Sequence, residues 1–317
     1  MPNAYTSTGS SSFGGTVGSA GLVQKAYDRL LEFALRDEPL IRAVADKQPT
    51  SQTLPGSTVV LQRYVDLSLQ TSALTEDADR DSVALGTPTS TTITLQEYGN
   101  STLVTRALQL FSLADVDPAV ANIIAVNLAD SIDDIAMTTL RGGSNVIYSG
   151  STATSTATIT AAATMSGANI RKAVHKLRAN KAKARKGSLY WAGMHPDVTF
   201  DLMADSSATG WLIPNQYGAS QDRIWAGEVG QYGGAFVVES PRMYVATDGA
   251  ASAKNYRTIL CGKQALAQAV AEEPHTVIGP VTDKLMRFRP VGWYGVLGFA
   301  RYREEALYRI ESGSSIA

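Results

Sequence analysis

The sequence predicts an α+β protein, and three observations carry that prediction. Residues 117–141 show one uninterrupted helical pattern, about twice the length of an average helix. Two strand-like runs, at 57–65 and 91–108, flank a stretch with little periodicity. The C-terminal stretch KLMRFRPVGWYGVLGFARYREEALYRIES is β-rich, with aromatic and basic side chains interleaved.

The 317 residues suffice for two domains or for one elaborated domain with a substantial core. With 44% hydrophobic and 18% charged residues and a net charge of −1, the whole molecule is no magnet for polyanions. Any nucleic-acid contact must come from a local patch. Cys261 is the only cysteine, which excludes an internal disulfide and suits a reducing cytoplasm. No window approaches the roughly 18 uninterrupted apolar residues of a membrane helix. The opening MPNAYTSTGSSSFGGTVGSAG lacks the basic start and apolar core of a signal peptide. Its Ser/Gly/Thr composition predicts a flexible arm unless it lies on a neighbour.

Taken in order, residues 22–47 read as a helix with Val23, Tyr27, Leu30, Leu31, Ala34 and Leu35 on one face, kinked or split at Pro39. Ser57–Val65 reads as a strand, and residues 91–108 hold one or two more. The stretch between them is a long loop of the kind that is usually functional, and its flanking strands predict a projecting β-ribbon.

At Asp117-Pro118 an acidic cap and a first-turn proline open the long helix, and Gly142-Gly143 close it. Ile124, Leu128, Ile132 and Ile135 form its apolar stripe, beside Ala121, Ala125, Ala129 and Ala136. Such a rod is a spine. Residues 152–164 are polar and predicted exposed. Ser166 is predicted to cap a second helix with Ile170, Val174 and Leu177 inward. Short strands and helices follow to Leu260.

The run GEVGQYGGAFVVESPRM (227–243) raises the question of a phosphate loop. A dinucleotide loop leaves a strand and opens a helix. Here the glycines precede the β-type run Ala235–Val238, so they predict a turn before a buried strand. Gly262-Lys263 also lacks the Walker pattern, with Gln264 next and Arg257 in the place of the first glycine.

The three histidines, His175, His195 and His275, have no second ligand at metal spacing and no catalytic motif. His195-Pro196-Asp197 reads as a helix start. Asp130, Asp133 and Asp134 read as the solvated face of the long helix. Two charge blocks suggest contact with something of opposite charge. The first is acidic, Glu76, Asp77, Asp79 and Asp81 in the long loop. The second is a basic helix from Arg171 to Lys186, with Arg171, Lys172, Lys176, Arg178, Lys181, Lys183, Arg185 and Lys186 and no acid. The partner expected for each is another subunit or nucleic acid.

This order of elements resembles the major capsid proteins of tailed bacteriophages, the Hong Kong phage fold that encapsulin compartments share. The stretches LYWAGMHPDVTFDLM, GEVGQYGGAFVVESPRM and VGWYGVLGFARYREEALYRI carry the resemblance. It implies an N-terminal arm and helix at 1–47 and an extended β-loop at 48–108. It further implies a peripheral domain with the long spine helix at 109–165 and 279–317, and an axial domain at 166–278 that includes Glu239-Ser240. The implied function is a structural shell of hexamers and pentamers around phage double-stranded DNA, with no enzymatic activity and no cofactor.

The resemblance also implies a portal, a decoration protein and a scaffolding protein as partners. The scaffold is expected as a separate chain, because the first helix begins by about residue 22. No lysine lies between Lys47 and Lys172, so a lysine cross-link from the extended loop is not expected. The acidic loop is expected to meet basic side chains of a neighbour, either the basic helix or Arg287, Arg289, Arg301 and Arg303 of the tail. The rival readings are an encapsulin-type compartment with protein cargo and, from another class, an α/β hydrolase or nucleotide-binding enzyme.

Overall fold

The computed structural model describes residues 40–48, 57–74, 76–77, 79, 81–111, 116–150, 153–206, 230–280 and 283–316. The expected N-terminal helix lies outside them up to residue 39. From residue 40 the chain is not helical as expected: a short 3-10 turn, Arg42–Val44, leads into strand β1, Asp46–Gln48. The backbone amides of residues 40–42 are taken by a remote carboxylate, and β1 pairs in parallel with a later strand, so the helix has no room to continue.

Strands β2 (Thr58–Arg63) and β3 (Thr89–Thr94) pair antiparallel from Thr58↔Thr94 to Arg63↔Thr89 and form the expected ribbon. The described residues between them are exposed and hold neither helix nor strand, apart from half-buried Pro88 at the ribbon's mouth. Strand β4 runs Gln96–Thr105, and the chain then turns into helix α1, Arg106–Phe111, rather than continuing as a strand to Leu108. The spine, α2, spans Val116–Arg141, 26 residues and about 39 Å at 1.5 Å per residue. Its apolar stripe is strongest in the C-terminal half, where Ile132, Ala136, Met137 and Leu140 are buried at helical spacing. Towards its start Ala121, Ile123 and Ala125 are exposed.

After β5 (Val146–Tyr148), Ser149, Ile159 and Ala163 are buried, and the other described residues up to 164 are exposed or half-buried. Helix α3, Gly167–Ala179, buries Ile170, Ala173, Val174 and Leu177. Ser166 holds the N-cap position without a side-chain bond; the Asp205 carboxylate takes the Gly167 amide at 2.9 Å instead. Strand β6 (Tyr190–Met194) and helix α4 (Pro196–Ala204) follow. His195 caps α4 through Nδ1, which accepts the Asp197 amide at 3.2 Å. Burial lowers the His195 pKa.

Strands β7 (Gln231–Tyr232) and β8 (Ala235–Glu239) form a hairpin whose turn residues, Gly233 and Gly234, both have positive φ, 56° and 89°. Two left-handed residues in a row match the twist of a two-residue hairpin, which is the work these glycines do. Then come β9 (Val245–Ala246), β10 (Asn255–Cys261), β11 (Leu266–Ile278), β12 (Phe288–Arg301) and β13 (Leu307–Ser312).

Two main sheets result. The order β1-β11-β12-β4 makes a long four-stranded sheet, and β5-β13-β10-β6-β8-β7, with β9 beside β10, makes a second. Sheet membership cuts across the expected boundaries. β11 pairs with β12 over Leu266↔Arg301 to Ile278↔Val291, although a boundary was expected at 278/279. β13, expected in the peripheral part, sits against β10 in the second sheet. The physical reason is the return of the chain: its last strand closes the edge that β10 leaves open. One apolar core joins this sheet to α3, α4 and the C-terminal half of the spine.

Candidate assembly surfaces

The ribbon is firmly seated at its base. Ile93 is fully buried against Ala267 and Ala269 of β11, with Val59, Leu61 and Leu95 around it. Arg63 makes two hydrogen bonds to Glu305, at 3.1 and 3.3 Å. The Arg63 guanidinium holds the Glu305 carboxyl below its ordinary range. A rigid base thus carries a long exposed excursion.

That excursion is apolar as well as acidic. Glu76, Asp77, Asp79 and Asp81 are exposed as expected. So are Tyr64, Val65, Leu67, Leu74, Val83 and Leu85, and Leu69 is 90% exposed. Sequence reasoning passed over these side chains, because periodicity is the usual signal for apolar residues and this stretch has none. The signal it does carry is simple: several large apolar side chains in a segment too irregular to bury them in its own chain. Grouped exposed apolar surface marks an interaction site.

A second apolar surface lies at one end of the four-stranded sheet. α1 exposes Leu108, Leu110 and Phe111, and the turn between β11 and β12 exposes Leu285 and Met286. The Arg106 amide donates to the Arg287 carbonyl at 2.9 Å, which ties the two segments together.

The basic candidates divide into two groups. Four are occupied inside the chain: Arg185 by Asp46 at 3.3 Å, Arg287 by Asp283 at 2.7 Å, Arg301 by Glu304 at 3.0 Å and Arg303 by Glu305 at 3.8 Å. Arg289 is exposed on β12. Arg171, Lys172, Lys176, Arg178, Lys181, Lys183 and Lys186 form no ion pair among the described residues. The helix itself ends at Ala179, short of the expected Lys186, because Lys181 takes a left-handed φ of 52°. Lys183 to Lys186 follow outside the helix, and Lys186 pairs with Leu189 across a turn at Gly187-Ser188.

The spine aspartates are not the solvated face expected of them. Asp133 is 2% exposed and accepts the amides of Leu40, Ile41 and Arg42, while Asp130 pairs with Arg242. Only Asp134 is exposed. Both of these carboxylates, buried Asp133 and half-buried Asp130, bind remote segments.

A family model described as phage capsid protein matches residues 49–314. The chain belongs to that family. Capsid structures share its fold at low sequence identity. The capsid of Ralstonia phage GP4 is 17% identical with a TM-score of 0.73, covering 92% of this chain and 96% of that one. The cyanophage Pam1 capsid is 15% identical with a TM-score of 0.72, at the same coverages of 92% and 96%. The acid-stable capsid of Helicobacter pylori bacteriophage KHP30 is 15% identical with a TM-score of 0.71, again covering 92% and 96%. No curated protein sequence matches. This is a structural major capsid protein, and its place is the virion capsid.

Proposed function

We propose that the capsid protein assembles as hexamers and pentamers into an icosahedral shell around phage double-stranded DNA, in the host cytoplasm and without catalytic activity. The observation that carries this reading is the excursion between β2 and β3, seated on a packed base yet exposing apolar side chains that no described residue covers. Burying one such side chain contributes roughly 1.5–3 kcal/mol, so an uncovered set favours association strongly. A second copy supplies the partner in a closed symmetric assembly.

In this reading the excursion lies over a neighbour, and its acids meet basic side chains there. The four-stranded sheet, spine and α1 make the peripheral part. The second sheet with α3 and α4 makes the axial part, which adds β5 and β13 and gives up β11 relative to the linear division. Portal and decoration proteins would bind the finished shell.

Electron microscopy of the purified protein tests the proposal: shells or ring-shaped capsomers are expected. A population of 33.7 kDa monomers across salt and concentration would overturn it. An encapsulin-type compartment is distinguished by the contents of native particles, protein cargo in place of nuclease-protected DNA.

A further inference from the structure

We infer that the exposed face of α3, continued along the chain to Lys186, is the surface on which this chain contacts the phosphate backbone of DNA. The identification of that polyanion as packaged DNA rests on the shell reading; the surface itself does not.

Three features point there. First, the charge is unopposed. Arg171, Lys172, Arg178, Lys181, Lys183 and Lys186 are all exposed and form no ion pair among the described residues, whereas Arg42, Arg63, Arg185 and Arg257 all do. So dense a block of one sign repels itself unless a partner of opposite charge or solvent screens it.

Second, several of these side chains are positioned. A Cβ added to Gly233 would lie 2.9 Å from Arg171 Cγ, and one added to Gly234 would lie 2.7 Å from an Arg178 terminal nitrogen. The hairpin glycines therefore leave the space in which both arginines pack. Seven residues at 1.5 Å each set these two about 10 Å apart along the helix. Lys186 stands 4.7 Å over the Phe236 ring. Side chains ordered in advance lose less entropy on binding.

Third, the surface lacks large apolar side chains. Among the described residues, no exposed large hydrophobic side chain lies between residues 124 and 199. A protein interface has an apolar centre, whereas interfaces with DNA are more polar and strongly positive. The excursion of a neighbour, with its leucines and valines, needs an apolar seat that α3 does not offer. This separates the two partners expected for the basic block and assigns it to DNA. Without a base-reading motif the contact is to phosphates, independent of sequence and steeply dependent on salt.

The test uses the full-length protein before assembly, with a short random-sequence duplex and fluorescence anisotropy across a salt series. The variant carries Arg171→Gln, Lys172→Gln, Arg178→Gln and Lys181→Gln. It is expected to bind the duplex more weakly, with a slope of log affinity against log salt flatter by about 3–4, since each lost phosphate contact removes about 0.9. Electron microscopy should still show shells. Unchanged affinity and slope overturn the inference. Loss of shells with duplex binding intact also overturns it, and makes a neighbour's acidic loop the partner. Should circular dichroism show the quadruple variant misfolded, Lys183→Gln with Lys186→Gln reads the same effect at about half the size; an unchanged slope there overturns the inference too. A parent protein that binds duplex but never forms shells refutes the shell reading and leaves this surface standing.

Discussion

The Asp133 carboxylate, on the spine helix, accepts the backbone N–H of Ile41 at 2.8 Å. The same carboxylate takes the amides of Leu40 and Arg42, at 3.2 and 2.8 Å. One side chain thus satisfies three donors where the chain enters the body and turns into β1. Asp133→Ala leaves those donors without an acceptor in a buried place. A loss of about 2–3 kcal/mol in unfolding free energy is expected, by the usual cost of unsatisfied buried groups. Chemical denaturation measures it, and a loss below half a unit would mean that water replaces the carboxylate.

The same residue gives a pH signature. Burial raises the Asp133 pKa, outweighing the three amides, which lower it. A raised folded pKa means that folding favours the protonated form. The contribution is full below the ordinary carboxyl range and is lost as pH rises through the folded pKa. Asp133→Asn removes this dependence. The stability deficit of the Asn variant relative to its parent should therefore be larger in acid than at neutral pH. Equal deficits at both ends would show that the carboxylate ionises as freely folded as unfolded.

A buried ion cluster makes the next prediction. Glu311 is fully buried, with Arg309 at 2.8 Å, Arg257 at 3.6 Å and the Asn255 amide at 3.1 Å. Burial lowers the Arg309 pKa, a sign of how much its charge depends on that glutamate. Glu311→Gln leaves the Arg309 guanidinium without its ion-pair partner and Arg257 with Asp248 alone, and about 3 kcal/mol or more should be lost. Asp248→Asn, at the more exposed end of the cluster, should cost under about 1 kcal/mol. Comparable losses in thermal unfolding would mean that the charge is shared evenly along the network.

These residues also mark the limit of what the sequence discloses. The spine was legible because Pro118 and Gly142-Gly143 punctuate it with local chemistry. The ribbon was legible because two β-type runs bracket an aperiodic stretch, and the Gly233-Gly234 hairpin because glycines stand directly before a β-run. Asp133 was not, since an acid at that spacing looks the same whether it faces water or a segment 92 residues away. The pairing of β13 with β10 was equally hidden, because register between distant strands leaves no trace in periodicity. Of the candidate assembly surfaces, the charges drew attention and the exposed leucines did not.

Covalent chemistry should be absent from the assembled particle. Cys261 is buried in β10, and burial pushes its thiol up to about 12. Folded protein at pH 8 should resist thiol reagents and react only on unfolding. Particles should dissolve to single chains in hot denaturant without reductant. A ladder that persists in the presence of a thiol blocker would reveal a bond that neither Cys261 nor a loop lysine explains.

The excursion allows apolar and acidic contributions to be weighed against each other. Leu67, Leu69 and Leu85 are exposed in the subunit, and each gains roughly 1.5–3 kcal/mol if a neighbour buries it. An exposed ion pair contributes only about 0–1 kcal/mol and weakens with salt. Changing the three leucines to serine should therefore abolish shells while leaving the folded subunit nearly as stable as its parent, because more than half of each side chain is uncovered among the described residues. Changing Glu76, Asp77, Asp79 and Asp81 to their amides should have a milder effect: assembly persists, slower and with a flatter salt dependence. Light scattering across a salt series, checked by microscopy, reads both. If the amide variant loses its shells and the serine variant keeps them, the acids hold the neighbour and the leucines are incidental.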